Sequence, residues 1–87
     1  MSYTVEIDRH AQKFLRSVTD GRLYRRLREA IDALAEIPRP PGATKLQGDS
    51  ELYRVRVGDY RVLYQIRDGV LAVLVVQIGH RREIYRR

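Results

Sequence analysis

The 87-residue sequence predicts an α+β domain: a largely antiparallel sheet with an αα-hairpin packed on one face, in the order β-α-α-β-β-β. Three observations predict it. Alternating apolar residues open the chain, two stretches of helical i, i+3, i+4, i+7 spacing follow, and two strand-like runs then meet at Gly58 and Asp59. A single domain over residues 1–87 accounts for all of it. A chain this short can bury only about 60–65% of its unfolded surface, so its core must be simple.

Tyr3, Val5 and Ile7 alternate with Thr4 and Glu6, which predicts a short first strand. Asp8 stands where a helix N-cap would, with a carboxylate able to accept an orphan backbone N–H, and Ala11, Phe14, Leu15 and Val18 then share one helical stripe. Thr19, Asp20 and Gly21 break that helix. A second begins at about Arg22, with Leu23, Leu27, Ala30, Ile31, Leu34 and Ile37 on its apolar face, and Pro38 ends it because proline lacks the N–H and clashes with the turn before it. Residues 38–44 hold Pro38, Pro40, Pro41 and Gly42, so they read as a loop within the domain. Asp68 and Gly69 predict a two-residue turn, and residues 70–78, apolar on both faces, predict a covered central strand that Gly79 ends.

The run from Leu52 to Ile66 is a hairpin with glycine at the first turn position, which suits a type II′ connection. Counting outward from that turn sets Val57 opposite Tyr60, Arg56 opposite Arg61, Val55 opposite Val62 and Tyr53 opposite Tyr64. Arg54, Arg56 and Arg61 then share one face, while Tyr53, Val55, Val57, Tyr60, Val62, Tyr64 and Ile66 share the other. The tyrosines read as packing. Directly opposed like charges destabilise a sheet by about 0.2–1 kcal/mol, so removal of Arg61 is expected to hold or raise stability. A solvated arginine face that protects a sheet edge is the structural explanation; three arginines converging on one hairpin favour an anion site.

Net charge is +6, with fifteen arginines against two lysines, and residues 45–87 hold nine basic and five acidic side chains. The guanidinium fork suits bidentate phosphate recognition, which points to nucleic acid or an acidic protein partner. A GC-rich genome produces the same arginine bias. There is no cysteine, so disulfides and thiolate metal sites are excluded, and His10 and His80 are too few for a metal cluster; neither metal nor cofactor is expected. His10 reads as structural or surface. No apolar run approaches the roughly 20 residues of a membrane span, and no signal-peptide core follows Met1, so a cytoplasmic protein without membrane contact is expected. The glycines are scattered at turns and build no phosphate-cradling loop.

Residues 80–87 form a basic tail that starts where the sheet ends. Charged termini commonly fray, yet Ile84 and Tyr85 argue for docking. An antiparallel last strand would end beside Tyr60 and Arg61, bringing His80, Arg81 and Tyr85 within reach of Arg61 and Arg56. Guanidiniums hold phosphoryl oxygens, and an aromatic ring stacks on an unpaired base. RNA carries its own nucleophile, the 2′-hydroxyl, whose attack needs alignment, charge stabilisation and proton transfer. Arg54, Arg56, Arg61 and Arg81 suit the electrostatic role; arginine stays protonated at neutral pH, so His80 and Tyr85, with Glu83 behind them, are the candidates for proton work. His80 reads equally as a structural residue closing the strand.

Lys45-Leu46-Gln47-Gly48, the run from Tyr53 to Tyr64, and the run from Gly79 to Tyr85 resemble, in order and spacing, the motif blocks of the RelE/ParE superfamily of toxins from bacterial type II toxin–antitoxin systems, particularly its RelE branch. The resemblance covers nearly the whole chain, and its middle block, a dozen positions long, is the most specific part. It implies the RelE-like fold and an mRNA interferase, a ribosome-dependent endoribonuclease that cuts mRNA in the ribosomal A site and inhibits translation. A cognate antitoxin would neutralise it, and operator DNA would be bound only through the toxin–antitoxin complex. By motif position, Arg54 and Arg56 match the family's basic pair, Arg61 the arginine after the hairpin glycine, Arg81 the arginine after the last strand, and Tyr85 the terminal tyrosine. With His80 these are the expected catalytic residues, and Lys45, Arg82, Arg86 and Arg87 the expected RNA contacts. Some family members carry lysines at the basic pair, where one can be proposed as base; two arginines leave the base open and raise the claim of His80. The chain stops soon after Tyr85, so the extra C-terminal helix of some relatives is expected to be absent. Two other activities share the fold: a ParE-like toxin that inhibits DNA gyrase as a binding protein, and an inactive relative that only binds its partner or operator DNA. Fold does not choose among them; Arg61, Arg81 and Tyr85 favour RNA cleavage.

Overall fold

The alternation at the amino terminus forms β1 (Thr4–Ile7), and Asp8 caps α1 (Arg9–Ser17) by accepting the Ala11 N–H at 3.1 Å. The computed structural model describes residues 2–46, 48 and 51–80. Asp20 does more than break the first helix. It is the N-cap of α2 (Gly21–Ala33), accepting N–H groups from Arg22 at 2.9 Å and Leu23 at 3.3 Å, so that helix starts slightly earlier than the apolar stripe alone predicts. α2 also ends earlier. Tight turns carry the chain from Leu34 to Ile37, and Ile37, expected on the buried stripe, is 56% exposed.

A two-residue strand, β2 (Thr44–Lys45), adds an element to the predicted order; Thr44 pairs with Arg54 and Lys45 with Tyr53 at the sheet edge. β3 (Leu52–Val57) and β4 (Tyr60–Arg67) form the hairpin in the expected register, Arg56 opposite Arg61. Gly58 has φ +61° while Asp59 keeps a negative φ, as a type II′ turn requires. The next connection differs from the expected two-residue turn. Asp68–Val70 form a single 3₁₀ turn, Leu71 takes a left-handed conformation at φ +52°, and β5 (Ala72–His80) begins later and runs through Gly79, which stays in the ladder opposite Arg61.

The sheet order is β1-β5-β4-β3-β2; β1 runs parallel to β5 and every other pair is antiparallel. Both helices cover one face, where Leu15, Leu27, Ile31 and Leu34 meet Val62, Tyr64, Val73 and Val75. β5 is central, which explains its continuous apolar run. Val75 and Ile78 are three residues apart yet both face this core, which strict alternation forbids. A bulge resolves it: Leu63 pairs with Gln77 and Tyr64 with Val75, leaving Val76 as the extra residue. Val76 packs with Leu46, Leu52 and Leu63 in a smaller cluster on the opposite face. That face is therefore apolar at one end and cationic at the hairpin end. Among the described residues no helix is long and apolar enough to cross a membrane.

Candidate nucleic-acid interface

The strand register puts Arg54, Arg56 and Arg61 together on the sheet face turned away from the helices, because Val55, Val57 and Val62 between them point into the helix-side core. Arg56 and Arg61 are direct cross-strand partners, with Cβ atoms about 4.5–5.5 Å apart in such pairs. Arg54 lies two residues along β3, roughly 7 Å away at the rise of an extended strand. Their environments differ. Arg56 is exposed, Arg54 half-buried, and Arg61 only 6% exposed, so the face is not the uniformly solvated one that its composition suggests. On its other flank Arg61 faces Gly79, which has no side chain to compete for that space. A guanidinium is weakly hydrated for a cation and stays charged, so it tolerates this position. The arrangement is a buried, partly desolvated positive charge beside an exposed one, suited to holding an anion whose charge grows during reaction.

Two residues expected at this site lie elsewhere. His80 pairs with Tyr60 in the β4–β5 ladder, and its ring meets the Tyr60 ring edge-on at 5.5 Å; Tyr60 in turn packs on Phe14 of α1 at 5.9 Å. His80 is thus on the helix side of the sheet. Strand alternation is the reason, since Gly79 already occupies the position beside Arg61. Lys45 pairs with Tyr53 and so belongs to the same helix-side face, and it is Thr44 that sits beside Arg54. Arg81, Arg82, Tyr85, Arg86 and Arg87, with Glu83 and Ile84, lie outside the described residues.

At the far end of the sheet a polar clasp fixes the proline-rich loop. Arg39 donates to both Asp68 carboxylate oxygens, at 3.2 and 2.8 Å, and through Nε to the Tyr53 hydroxyl at 3.1 Å, while the Tyr3 hydroxyl donates to Asp68 at 2.6 Å. The bonds from Arg39 and Tyr3 hold the Asp68 carboxyl down at about 2, and the bond to Asp68 raises the Tyr3 hydroxyl. Tyr64, stacked on Tyr53 at 6.0 Å, donates to the Pro38 carbonyl at 2.9 Å, and burial, with Tyr53 nearby, pushes its hydroxyl up to about 12. This clasp orders the strand start that leads to Arg54 and Arg56. Sequence reasoning missed it because its members are distant in the chain. It also overlooked the cations on the helices, for which the signal was present: α1 contains no acidic residue.

The fold is shared with toxins of type II toxin–antitoxin systems. The family model for the ParE toxin of type II toxin–antitoxin systems, parDE, matches residues 5–85, and the chain belongs to the RelE/ParE superfamily. Toxin RelG of Mycobacterium tuberculosis is 30% identical over 87 residues, covering 100% of both chains. The mRNA interferase toxin RelE of Escherichia coli K12 is 29% identical, covering 98% of this chain and 92% of that one. Among solved structures, the archaeal RelE–RelB complex of Pyrococcus horikoshii OT3 aligns with a TM-score of 0.82 at 33% identity, over 95% of this chain and 99% of that one.

Proposed function

We propose that the toxin is an mRNA interferase that cuts mRNA on the ribosome without a metal, and that a cognate antitoxin neutralises it. The observation that carries this reading is the convergence of Arg54, Arg56 and Arg61 on the sheet face turned away from the helices. It is supported by the E. coli relative, named as an mRNA interferase, and by the archaeal neighbour, which is a complex of RelE with RelB. In the reaction the 2′-oxygen attacks the adjacent phosphorus and the bond to the 5′-oxygen breaks, giving a 2′,3′-cyclic phosphate and a 5′-hydroxyl. One proton leaves the 2′-hydroxyl and one reaches the departing 5′-oxygen. Arg61 holds the phosphoryl oxygens from its buried position, and Arg56 and Arg54 neutralise the charge that develops on them. Arg81 and Tyr85 join this set, Arg81 as a further cation and Tyr85 by stacking on a base and by proton transfer. His80, placed on the helix side, supports Tyr60 instead of exchanging protons. With no strong base among the described residues of the arginine face, alignment of the 2′-hydroxyl by the ribosome supplies much of the acceleration.

The match to a family model named for ParE favours a second reading, a gyrase-directed binding protein. Cleavage of translated mRNA by the wild type distinguishes the two, and Arg61→Lys tests the part Arg61 plays in it. This substitution keeps the charge and loses the bidentate fork, so cleavage of translated mRNA, read by primer extension, should fall at least tenfold. Unchanged cleavage would remove Arg61 from the mechanism.

A further inference from the structure

From Ala72 to Ile78 every residue of β5 is apolar except Gln77, whose side chain is exposed while Val75, Ile78 and Gly79 around it are buried. Strict alternation after Val75, which faces the helix-side core, would send Gln77 into that core and Ile78 to the other face. The bulge at Val76 reverses both. Tyr64 pairs with Val75 and Leu63 with Gln77, so Ile78 joins the core and Gln77 turns to the arginine face, where Leu63 and Val76 also lie. Bulges recur beside active sites because they re-aim a side chain in this way. The register then fixes the neighbours of Gln77. It stands in one cross-strand row with Leu63 and Arg54, and two residues before Gly79, the partner of Arg61, so Gln77 and Arg61 are diagonal neighbours about 7–8 Å apart. Gln65, half-buried on the same face, is four residues from Arg61 along β4, roughly 13 Å away. Among the described residues the Gln77 carboxamide has no hydrogen-bond partner.

The chemistry of the amide selects what it binds. Phosphate oxygens only accept, and the neighbouring guanidiniums already supply donors for them. A base edge presents donors and acceptors side by side in one plane. A glutamine carboxamide carries one of each in the same planar arrangement and meets such an edge bidentately, as it does N6 and N7 of adenine. In single-stranded RNA these edges are open to side chains. We propose that Gln77 is a specificity-determining residue that reads the edge of a base in the RNA strand whose phosphate Arg61 holds. This rests on the ribonuclease reading and deepens it: the arginines set the position of the strand through its phosphates, and Gln77 selects its sequence.

The test is codon discrimination by the full chain on ribosomes programmed with each codon in the A site. Gln77→Leu keeps a side chain of similar size and removes both amide functions. On the codons that the wild type cuts best, kcat/KM should fall by about fivefold or more while the poorest codons change little, so the profile flattens; one bidentate base contact discriminates to that extent. Melting should match the wild type, because the side chain is exposed. If Gln77→Leu fails to fold, Gln77→Thr, a good strand former without the amide, should flatten the profile equally. An unchanged profile would overturn the proposal, and so would an equal loss on every codon, which marks a contact to the sugar–phosphate backbone. Affinity for the same ribosomes carrying 2′-O-methylated codons, which lack the attacking hydroxyl, separates this from the ribonuclease reading. Wild-type toxin that leaves unmodified mRNA whole, yet ranks the codons by affinity and loses that ranking in Gln77→Leu, retains the base contact and loses the ribonuclease. Equal wild-type affinity for all codons, or cleavage whose codon preference is indifferent to Gln77, does the reverse.

Discussion

Arg56 and Arg61 stand directly opposite each other across the β3–β4 ladder, but Arg56 is exposed and Arg61 is only 6% exposed. The pair is therefore asymmetric. Arg56→Gln should relieve repulsion and raise stability by about 0.2–1 kcal/mol in urea unfolding, while lowering toxicity. Arg61→Ala should move the other way, losing about 0.5–3 kcal/mol, because the buried aliphatic stem packs as well as carrying charge. That reverses the sign expected from the sequence. A stabilised Arg61→Ala would show that the stem contributes nothing.

Tyr64 ties the strand start to the proline-rich loop through its 2.9 Å bond to the Pro38 carbonyl. Tyr64→Phe should cost about 0.5–1.5 kcal/mol at neutral pH. The folded hydroxyl, at about 12, lies above its ordinary 10.0, so its contribution is complete below pH 10 and lost as pH rises through 12. Denaturant titrations of the two proteins should accordingly converge in strong alkali; a constant gap would mean that the hydroxyl is not responsible.

The Asp68 carboxyl is held at about 2, below its ordinary 3.8, by Arg39 and then Tyr3. Its contribution to stability is present above about pH 4 and disappears as pH falls through 2. Asp68→Asn should melt below the wild type at neutral pH, with the difference closing across that acid window. Both side chains of the Arg39–Asp68 pair are about half exposed, so solvent screens the effect and high salt should shrink it.

His80 meets Tyr60 edge-on at 5.5 Å on the helix side of the sheet. His80→Phe keeps a ring in that position and should leave mRNA cleavage within about threefold of wild type, while His80→Ala should lower the melting temperature. A loss of cleavage beyond a hundredfold in folded His80→Phe would restore the histidine to proton transfer.

The hairpin was legible because its signals are local: a two-residue period on each side of a glycine that the turn requires at positive φ. The Arg56–Arg61 pairing and the core placement of Tyr53, Tyr60 and Tyr64 follow from counting alone. What failed depended on distant partners. β2 is two residues long and is a strand only because Arg54 and Tyr53 pair with it. The extra Val76 is set by what β4 offers opposite, and continuous apolar sequence hides such a bulge. The face of His80 was within reach, since a residue following Gly79 beside Arg61 must point the other way. The cations of α1 were obscured by counting charge over halves of the chain instead of over single helices.

The most direct test of the central claim exposes translating ribosomes and, in parallel, DNA gyrase to the purified wild-type toxin. The ribonuclease account predicts breaks in the translated mRNA that end in a 2′,3′-cyclic phosphate or its 3′-phosphate, with supercoiling unaffected. Intact mRNA together with inhibited supercoiling or trapped DNA breaks would contradict it.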